Sequence, residues 1–243
     1  AITIKEGDEL LEAKLTNGES QIILAVKSGK LVRFEETKTR PMGRTASGVR
    51  GITLKDDSDE VIGMVTVDKE NITESQILVV TENGYGKRTK LVDDDGEDVY
   101  RITNRGGKGV KTLNITEKTG NLISISAVTD ADDLMIINKS GLTIRMAIED
   151  LRVMGRATQG VKLINLKGKD SIAAVTKVMK DDVAEVVVDE DGNVIENDTI
   201  ERVKPVLEVL EDEGSEDEEE DDDSDVEEEL EDEADEDDSD DEA

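Results

Sequence analysis

The chain contains no cysteine and no histidine, and its aromatic side chains are Phe34, Tyr85 and Tyr100 alone. Without cysteine there is no disulfide framework and no thiolate chemistry. Without histidine the commonest general base and the commonest metal ligand are missing. Three aromatics are too few to build a stacking platform for single-stranded bases. No apolar run reaches membrane-spanning length, and no signal peptide is visible. No paired-carboxylate motif sits on a strand-like stretch, so an active site within this chain is not expected. The first residue is Ala1 rather than Met, on a strand-like stretch, which reads as the start of a fragment.

The formal charge over 243 residues is −32, and it is unevenly placed. Residues 205–243 hold 26 acids and no Lys or Arg, whereas the preceding 204 residues hold 36 acids against 30 bases. The body is therefore mildly acidic, and the tail is a solvating or interacting polyanion. Residues 211–243 cannot bury enough apolar area to offset their ordering entropy, so a disordered acidic tail is expected there.

Basic residues cluster inside the body. Residues 27–55 carry eight cations against Glu35 and Glu36, and residues 139–169 carry seven against Glu149 and Asp150. Three stretches share one frame: RPMGRTASGVR at 40–50, RITNRGGKGVK at 101–111 and RVMGRATQGVK at 152–162. The frame is Arg, three residues, Arg, three residues, Gly-Val and a cation. Glycine permits tight turns and close backbone approach, and fixed guanidinium groups recognise phosphate, so the frame implies a phosphate-facing surface.

The frame belongs to a larger repeat. Three strand-like runs, SQIILAVKSGKLVRF, SQILVVTENGYGKRT and DDLMIINKSGLTIRM, each contain a turn glycine followed four residues later by arginine: Gly29 and Arg33, Gly84 and Arg88, Gly141 and Arg145. The turn glycines are 55 and 57 residues apart. Each unit reads as strand, turn, strand, Arg-x3-Arg loop, a third strand (52–54, 113–115, 164–166) and a fourth. Four short strands per unit of about fifty residues is a propeller-like blade. The expected fold is all-β: a β-pinwheel of four-stranded blade repeats followed by the acidic tail. The boundaries are 1–19 for the end of a preceding blade, 20–74, 75–131 and 132–180 for three blades, 181–210 for a connecting segment and 211–243 for the tail. The acids at 93–98 form an insertion in the middle unit. A hairpin is expected around Asp191-Gly192, whose acidic turn has part of a calcium loop but not the rest. A short helix or strand is expected at 203–210.

Candidate phosphate-contacting residues are Arg40, Arg44, Arg50, Lys87, Arg88, Arg101, Arg105, Lys108, Lys111, Arg145, Arg152, Arg156 and Lys162. Arg33, Arg88 and Arg145 lie within strands, where structural and ligand-binding roles are both open; the loop cations are better placed for a ligand.

At the strings QIILAVKSGKLVRF, RPMGRTASGVRGI, TENGYGKRTK and DLMIINKSGLTIRM with RVMGRATQGVKLI, the chain resembles the C-terminal domain of the A subunit of bacterial DNA gyrase over residues 1–178. The resemblance implies the last three blades of a six-bladed β-pinwheel that wraps duplex DNA around a basic rim in support of negative supercoiling. It also implies a cytoplasmic, nucleoid-associated location, with no membrane. The implied partners are double-stranded DNA, the rest of the gyrase A protein, and the gyrase B protein in an A2B2 assembly. The cleaving tyrosine, ATP and Mg2+ would lie outside this chain, which leaves Tyr85 and Tyr100 without a catalytic role and this chain without a cofactor. The family's signature box, Gln, Arg/Lys, Arg, Gly, Gly, Arg/Lys, Gly, has its nearest match at 103–109, TNRGGKG, in five of seven positions. The equivalent domain of the topoisomerase IV A protein, a sibling that wraps DNA less, and a propeller-like protein-interaction scaffold are the alternatives.

Overall fold

The computed structural model describes residues 2–168 and 170–179, together with the backbone of two short strands at 187–188 and 194–195. Contacts divide the chain into Ala1–Val209 and Leu210–Ala243. The second part, with the acidic tail, lies outside the described residues, as do 203–210 and the acidic turn at 189–193.

The described body is all-β. In chain order its strands are β1 (Gln21–Val26), β2 (Lys30–Glu35), β3 (Val61–Val67), β4 (Gln76–Thr81), β5 (Tyr85–Lys90), β6 (Val110–Lys111) and β7 (Leu122–Val128), followed by β8 (Asp132–Asn138), β9 (Thr143–Ala147), β10 (Val161–Lys162), β11 (Ile172–Met179), β12 (Val187–Val188) and β13 (Val194–Ile195). The three matched runs form antiparallel hairpins β1–β2, β4–β5 and β8–β9. Their turns close in the same way, with Gly29, Gly84 and Gly141 all at positive φ and donating to Val26, Thr81 and Asn138 at 3.0, 3.0 and 3.1 Å. A positive φ is nearly free for glycine and strained for other residues, which is why the spacing of these three residues marks the repeat.

The sheets do not coincide with the sequence units. Their strand orders are β3-β1-β2-β6, β10-β5-β4-β7 and β11-β8-β9. The outermost strand of the first sheet, β6, comes from the second unit, and that of the second sheet, β10, comes from the third. The expected third strands at 52–54, 113–115 and 164–166 are therefore corrected. In the second and third units the pairing residues lie three positions earlier, at 110–111 and 161–162, and complete the preceding sheet rather than their own; in the first unit no strand forms between β2 and β3. The stretch 2–19 was expected to begin with a strand but forms none, and Leu15 is fully exposed. Ile2 and Ile4 alternate as a strand would, but a strand needs an edge to pair with. The hairpin around Asp191-Gly192 is present as β12–β13, with Val187 opposite Ile195 and Val188 opposite Val194.

Burial follows the two-residue period. Every residue of β4 is buried, and alternate side chains point to opposite faces. Ile77 and Val79 pack with Ile23, Ala25, Leu122 and Tyr100 between the first two sheets. Leu78 and Val80 pack with Leu134, Ile136 and Met146 between the second and third. Burying each such side chain contributes roughly 1.5–3 kcal/mol, so the stacking of sheet on sheet holds the repeats in order. On the far face of the first sheet, Ile22, Val32, Phe34 and Ile52 form a third, smaller cluster.

Candidate nucleic-acid interface

The three Arg-x3-Arg frames form extended arms, residues 40–50, 101–111 and 152–162. Each of the last two crosses onto the preceding sheet. The 101–111 arm is fixed by the Thr103 N–H to the Arg33 carbonyl (2.8 Å), by β6 against β2, and by the Thr112 N–H to the Gly29 carbonyl (2.8 Å). The 152–162 arm repeats this with Met154 to Arg88 (2.9 Å), β10 against β5, and Leu163 to Gly84 (2.8 Å). Glycine is required at both crossings: a Cβ on Gly109 would sit 2.5 Å from the Leu31 carbonyl oxygen, and one on Gly160 would sit 2.6 Å from that of Gly86.

Neighbouring arms are also joined side by side. The Gly106 N–H donates to Gly51 (2.6 Å), Thr53 to Gly107 (2.9 Å) and Asn114 to Thr158 (3.1 Å). The Arg105 guanidinium reaches the carbonyls of Lys38 (3.1 Å) and Arg50 (3.4 Å). The three loops thus form one hydrogen-bonded strip across three repeats.

The cations fall into two groups. Arg40, Arg44, Arg50, Arg101, Arg105, Lys108, Lys111 and Arg152 are exposed along the strip, and Arg156 and Lys162 are half-buried in it. Arg145 is exposed on β9, away from any arm, and its Nε donates to Asp133 at 2.7 Å. Lys87 and Arg88 are different. Lys87 is 0% exposed, and its ammonium donates to the carbonyls of Gly155 and Arg156 and to the Thr158 hydroxyl. Burial pushes its pKa down to about 7, while those three oxygen acceptors favour the charged form. Arg88 donates to the Leu151 and Glu149 carbonyls and to Asp130. Their expected place among phosphate-contacting residues is corrected, because a buried cation saturated by protein oxygens has nothing to offer a phosphate. Both hold the 152–162 arm in place instead. Arg33 does the same for the preceding arm, reaching Gln21, Asp98 and the Tyr100 carbonyl.

Lys30 was not among the expected contact residues. It sits directly opposite Lys111 in the β2–β6 pair. Like charges facing each other across strands are destabilising, and an anion between them relieves the repulsion. The lysine after the Ser28-Gly29 turn was visible in the sequence; its partner was not, because the pairing joins two repeats. Tyr100 is fully buried, and its hydroxyl is 2.7 Å from the Thr112 hydroxyl. Burial raises its pKa. Tyr85 is also buried.

Stacked antiparallel blades whose outer strands are exchanged between repeats, with a cationic strip along those outer strands, define a propeller-like module with an anion-facing rim. A family profile described as "DNA gyrase C-terminal domain, beta-propeller" matches residues 21–68, 75–129 and 132–179. The chain belongs to this family. It is 44% identical over 207 residues to the DNA gyrase A protein of Staphylococcus aureus (strain MRSA252), covering 85% of this chain and 22% of that protein. It is 45% identical over 190 residues to the DNA gyrase A protein of the same species (strain NCTC 8325 / PS 47), covering 78% and 20%. The chain thus spans about a fifth of the length of these curated relatives. Among solved structures, a DNA gyrase A C-terminal domain superposes with a TM-score of 0.62 at 25% identity, covering 73% of this chain and 57% of that one. The C-terminal domain of a DNA topoisomerase IV shares the fold, with a TM-score of 0.66 at 22% identity over 73% of this chain and 52% of that one.

Proposed function

We propose that this chain is a duplex-DNA-binding surface of a gyrase A-type protein and that it bends DNA along its arm strip. The observation that carries this reading is the strip itself: three neighbouring loops joined by backbone hydrogen bonds, with exposed cations on each. Phosphate contacts position a duplex without reading its sequence. Bending tens of base pairs costs several kcal/mol, and a curved row of such contacts offsets it. Lys30 and Lys111 add a site where a phosphate oxygen removes a like-charge contact. In the longer protein the bent duplex would serve strand passage by the rest of the gyrase A protein together with the gyrase B protein, in a cytoplasmic, nucleoid-associated assembly. ATP and Mg2+ would act at sites outside this chain. The acidic tail would compete with phosphate for the strip.

The test is duplex binding by two unrelated sequences from about 50 to about 200 mM salt. The reading predicts equal affinity for both and a steep fall with salt. A flat response, or strong preference for one sequence, contradicts it.

A further inference from the structure

The two joints at which an arm meets the preceding sheet end alike but are built from different residues. At the first, Lys111 at the end of its arm lies opposite Lys30, the residue after the turn glycine. At the second, Lys162 at the end of its arm lies opposite Tyr85, the residue after Gly84. The second joint therefore has no lysine on the strand, but a lysine reaches it from a loop. Lys118, in the 116–120 loop before β7, holds its ammonium 5.9 Å from the centroid of the Tyr85 ring. Lys118 stands three residues past the 113–115 stretch; three residues past 52–54, the first repeat has Asp57. Each joint thus carries two lysines, the second supplied by the strand in one case and by the loop in the other.

Lys118 and Lys162 line one cleft of about 270 Å³, together with Asn83, Tyr85, Leu166 and Asp170. The loop that carries Lys118 is firmly held. The Asn83 amide donates to the carbonyls of Glu117 (3.3 Å) and Lys118 (3.2 Å), and the Thr116 N–H donates to the buried Thr119 hydroxyl (2.9 Å). The carboxylate in the cleft, Asp170, is already engaged by the Ser140 hydroxyl (2.8 Å) and the Ser171 N–H (2.9 Å). Among the described residues neither Lys118 nor Lys162 forms an ion pair. A cation over an aromatic ring is held only weakly at an exposed site, so the Lys118 ammonium stays available to an anion. Tyr85 is 8% exposed, too buried to stack on a base, and serves as the floor of the cleft.

We propose that Lys118 and Lys162 form a phosphate subsite at the Tyr85 ring and that a backbone phosphate of the duplex occupies it, a step that rests on the duplex-binding reading above. Two ammonium groups on one cleft match the oxygens of a phosphate ester, and nothing in it reads a base edge. The duplex track then continues past the end of the 152–162 arm to the β4–β5 turn, as it does past the 101–111 arm at Lys30 and Lys111. Lys118 lies outside the three Arg-x3-Arg frames, so the contact belongs to the blade and not to the arm.

The test compares the whole 243-residue chain with its Lys118→Gln, Lys118→Arg and Lys69→Gln variants, Lys69 being an exposed lysine that pairs with Glu35 away from both joints. Duplex affinity is measured from about 50 to about 200 mM salt. Lys118→Gln should lower the slope of log K against log salt by about 0.9 and weaken binding at about 0.1 M salt roughly five- to tenfold. Lys118→Arg should keep the slope, and Lys69→Gln should leave it unchanged. A purely structural Lys118 would lower the melting temperature of Lys118→Gln and leave its slope alone. A steep slope in the unsubstituted chain with the same slope in folded Lys118→Gln overturns the subsite and leaves the arm strip standing. A flat slope in the unsubstituted chain overturns duplex binding and the subsite's occupant together. Inorganic phosphate, titrated against chloride at constant ionic strength into 15N-labelled protein, separates a free phosphate from the duplex. Shifts of the Lys118 and Lys162 amides with phosphate, combined with an unchanged slope in Lys118→Gln, would assign the cleft to a free phosphate and overturn the duplex as its occupant.

Discussion

Arg33, Arg88 and Arg145 occupy one repeat position in different surroundings, so replacing each by Met measures what an incoming arm contributes. The Arg33 side chain is 1% exposed and donates to Gln21 (2.7 Å), Asp98 (2.8 Å) and the Tyr100 carbonyl (2.8 Å). Arg33→Met strips a donor from Gln21 and from a buried carbonyl, at about 1–3 kcal/mol for each group left unsatisfied. Asp98 is 40% exposed, so water takes over its solvation, and removing a buried cation returns part of the cost. A net loss of about 3 kcal/mol is expected for Arg33→Met, with a similar loss for Arg88→Met. Arg145 is 39% exposed and braces no arm, but its partner Asp133 is only 7% exposed, so Arg145→Met is made together with Asp133→Asn, which avoids stranding a buried carboxylate, and the double change should cost about 1 kcal/mol. Urea unfolding reads this as a shift in midpoint at constant slope. In melting temperature, 3 kcal/mol corresponds to roughly 6–12 °C for a body of this size. Equal losses at all three positions would refute the reasoning, because the arm would then contribute nothing.

Lys87 gives a pH dependence of known sign. Its folded pKa is about 7 against 10.5 for the free side chain, so between those values the unfolded chain binds more protons. The contribution of Lys87 to stability should therefore be fully present above about pH 10.5 and be lost as pH falls to about 7, at up to about 1.4 kcal/mol per pH unit, and Lys87→Met should remove this part of the slope from the urea-unfolding free energy. A difference between the two proteins that does not change with pH would mean that the oxygen acceptors keep the ammonium charged throughout. Gly160→Ala, at φ 80° with its Cβ 2.6 Å from the Gly86 carbonyl oxygen, should destabilise the protein by more than Gly48→Ala, at φ 88° in open space, where only backbone strain of about 1–3 kcal/mol applies. Deleting residues 211–243 should tighten duplex binding at low salt, with the gain shrinking as the screening length falls from about 30 Å at 0.01 M to about 10 Å at 0.1 M; equal affinity at every salt would remove the tail from the mechanism.

The hairpins were legible because their signals are local. A turn glycine at positive φ and β-rich flanks lie within fifteen residues, and the spacing of Gly29, Gly84 and Gly141 showed the repeat. The exchange of outer strands was not legible. Val110 and Val161 pair with residues of the previous repeat, 79 and 75 positions upstream, and a two-residue strand leaves no periodic pattern. The same blindness misplaced Lys87 and Arg88. In sequence, lysine and arginine beside a glycine turn look like surface cations; what buries them is the arm of the next repeat closing over their stems. Of the loop cations, Arg40, Arg44, Arg50, Arg101, Arg105, Lys108, Lys111 and Arg152 are exposed, whereas Arg156 and Lys162 are half-buried, Lys162 between the buried Val161 and Leu163.

The central claim is that exposed arm cations, and not the buried ones, form the phosphate track. Changing the exposed Arg44, Arg105, Lys108 and Arg152 together to Gln and measuring duplex affinity against salt tests it most directly. Each lost phosphate contact should lower the slope of log K against log salt by about 0.9, so a fall of roughly three to four is predicted, with the fold retained. An unchanged slope in a folded variant would contradict the account.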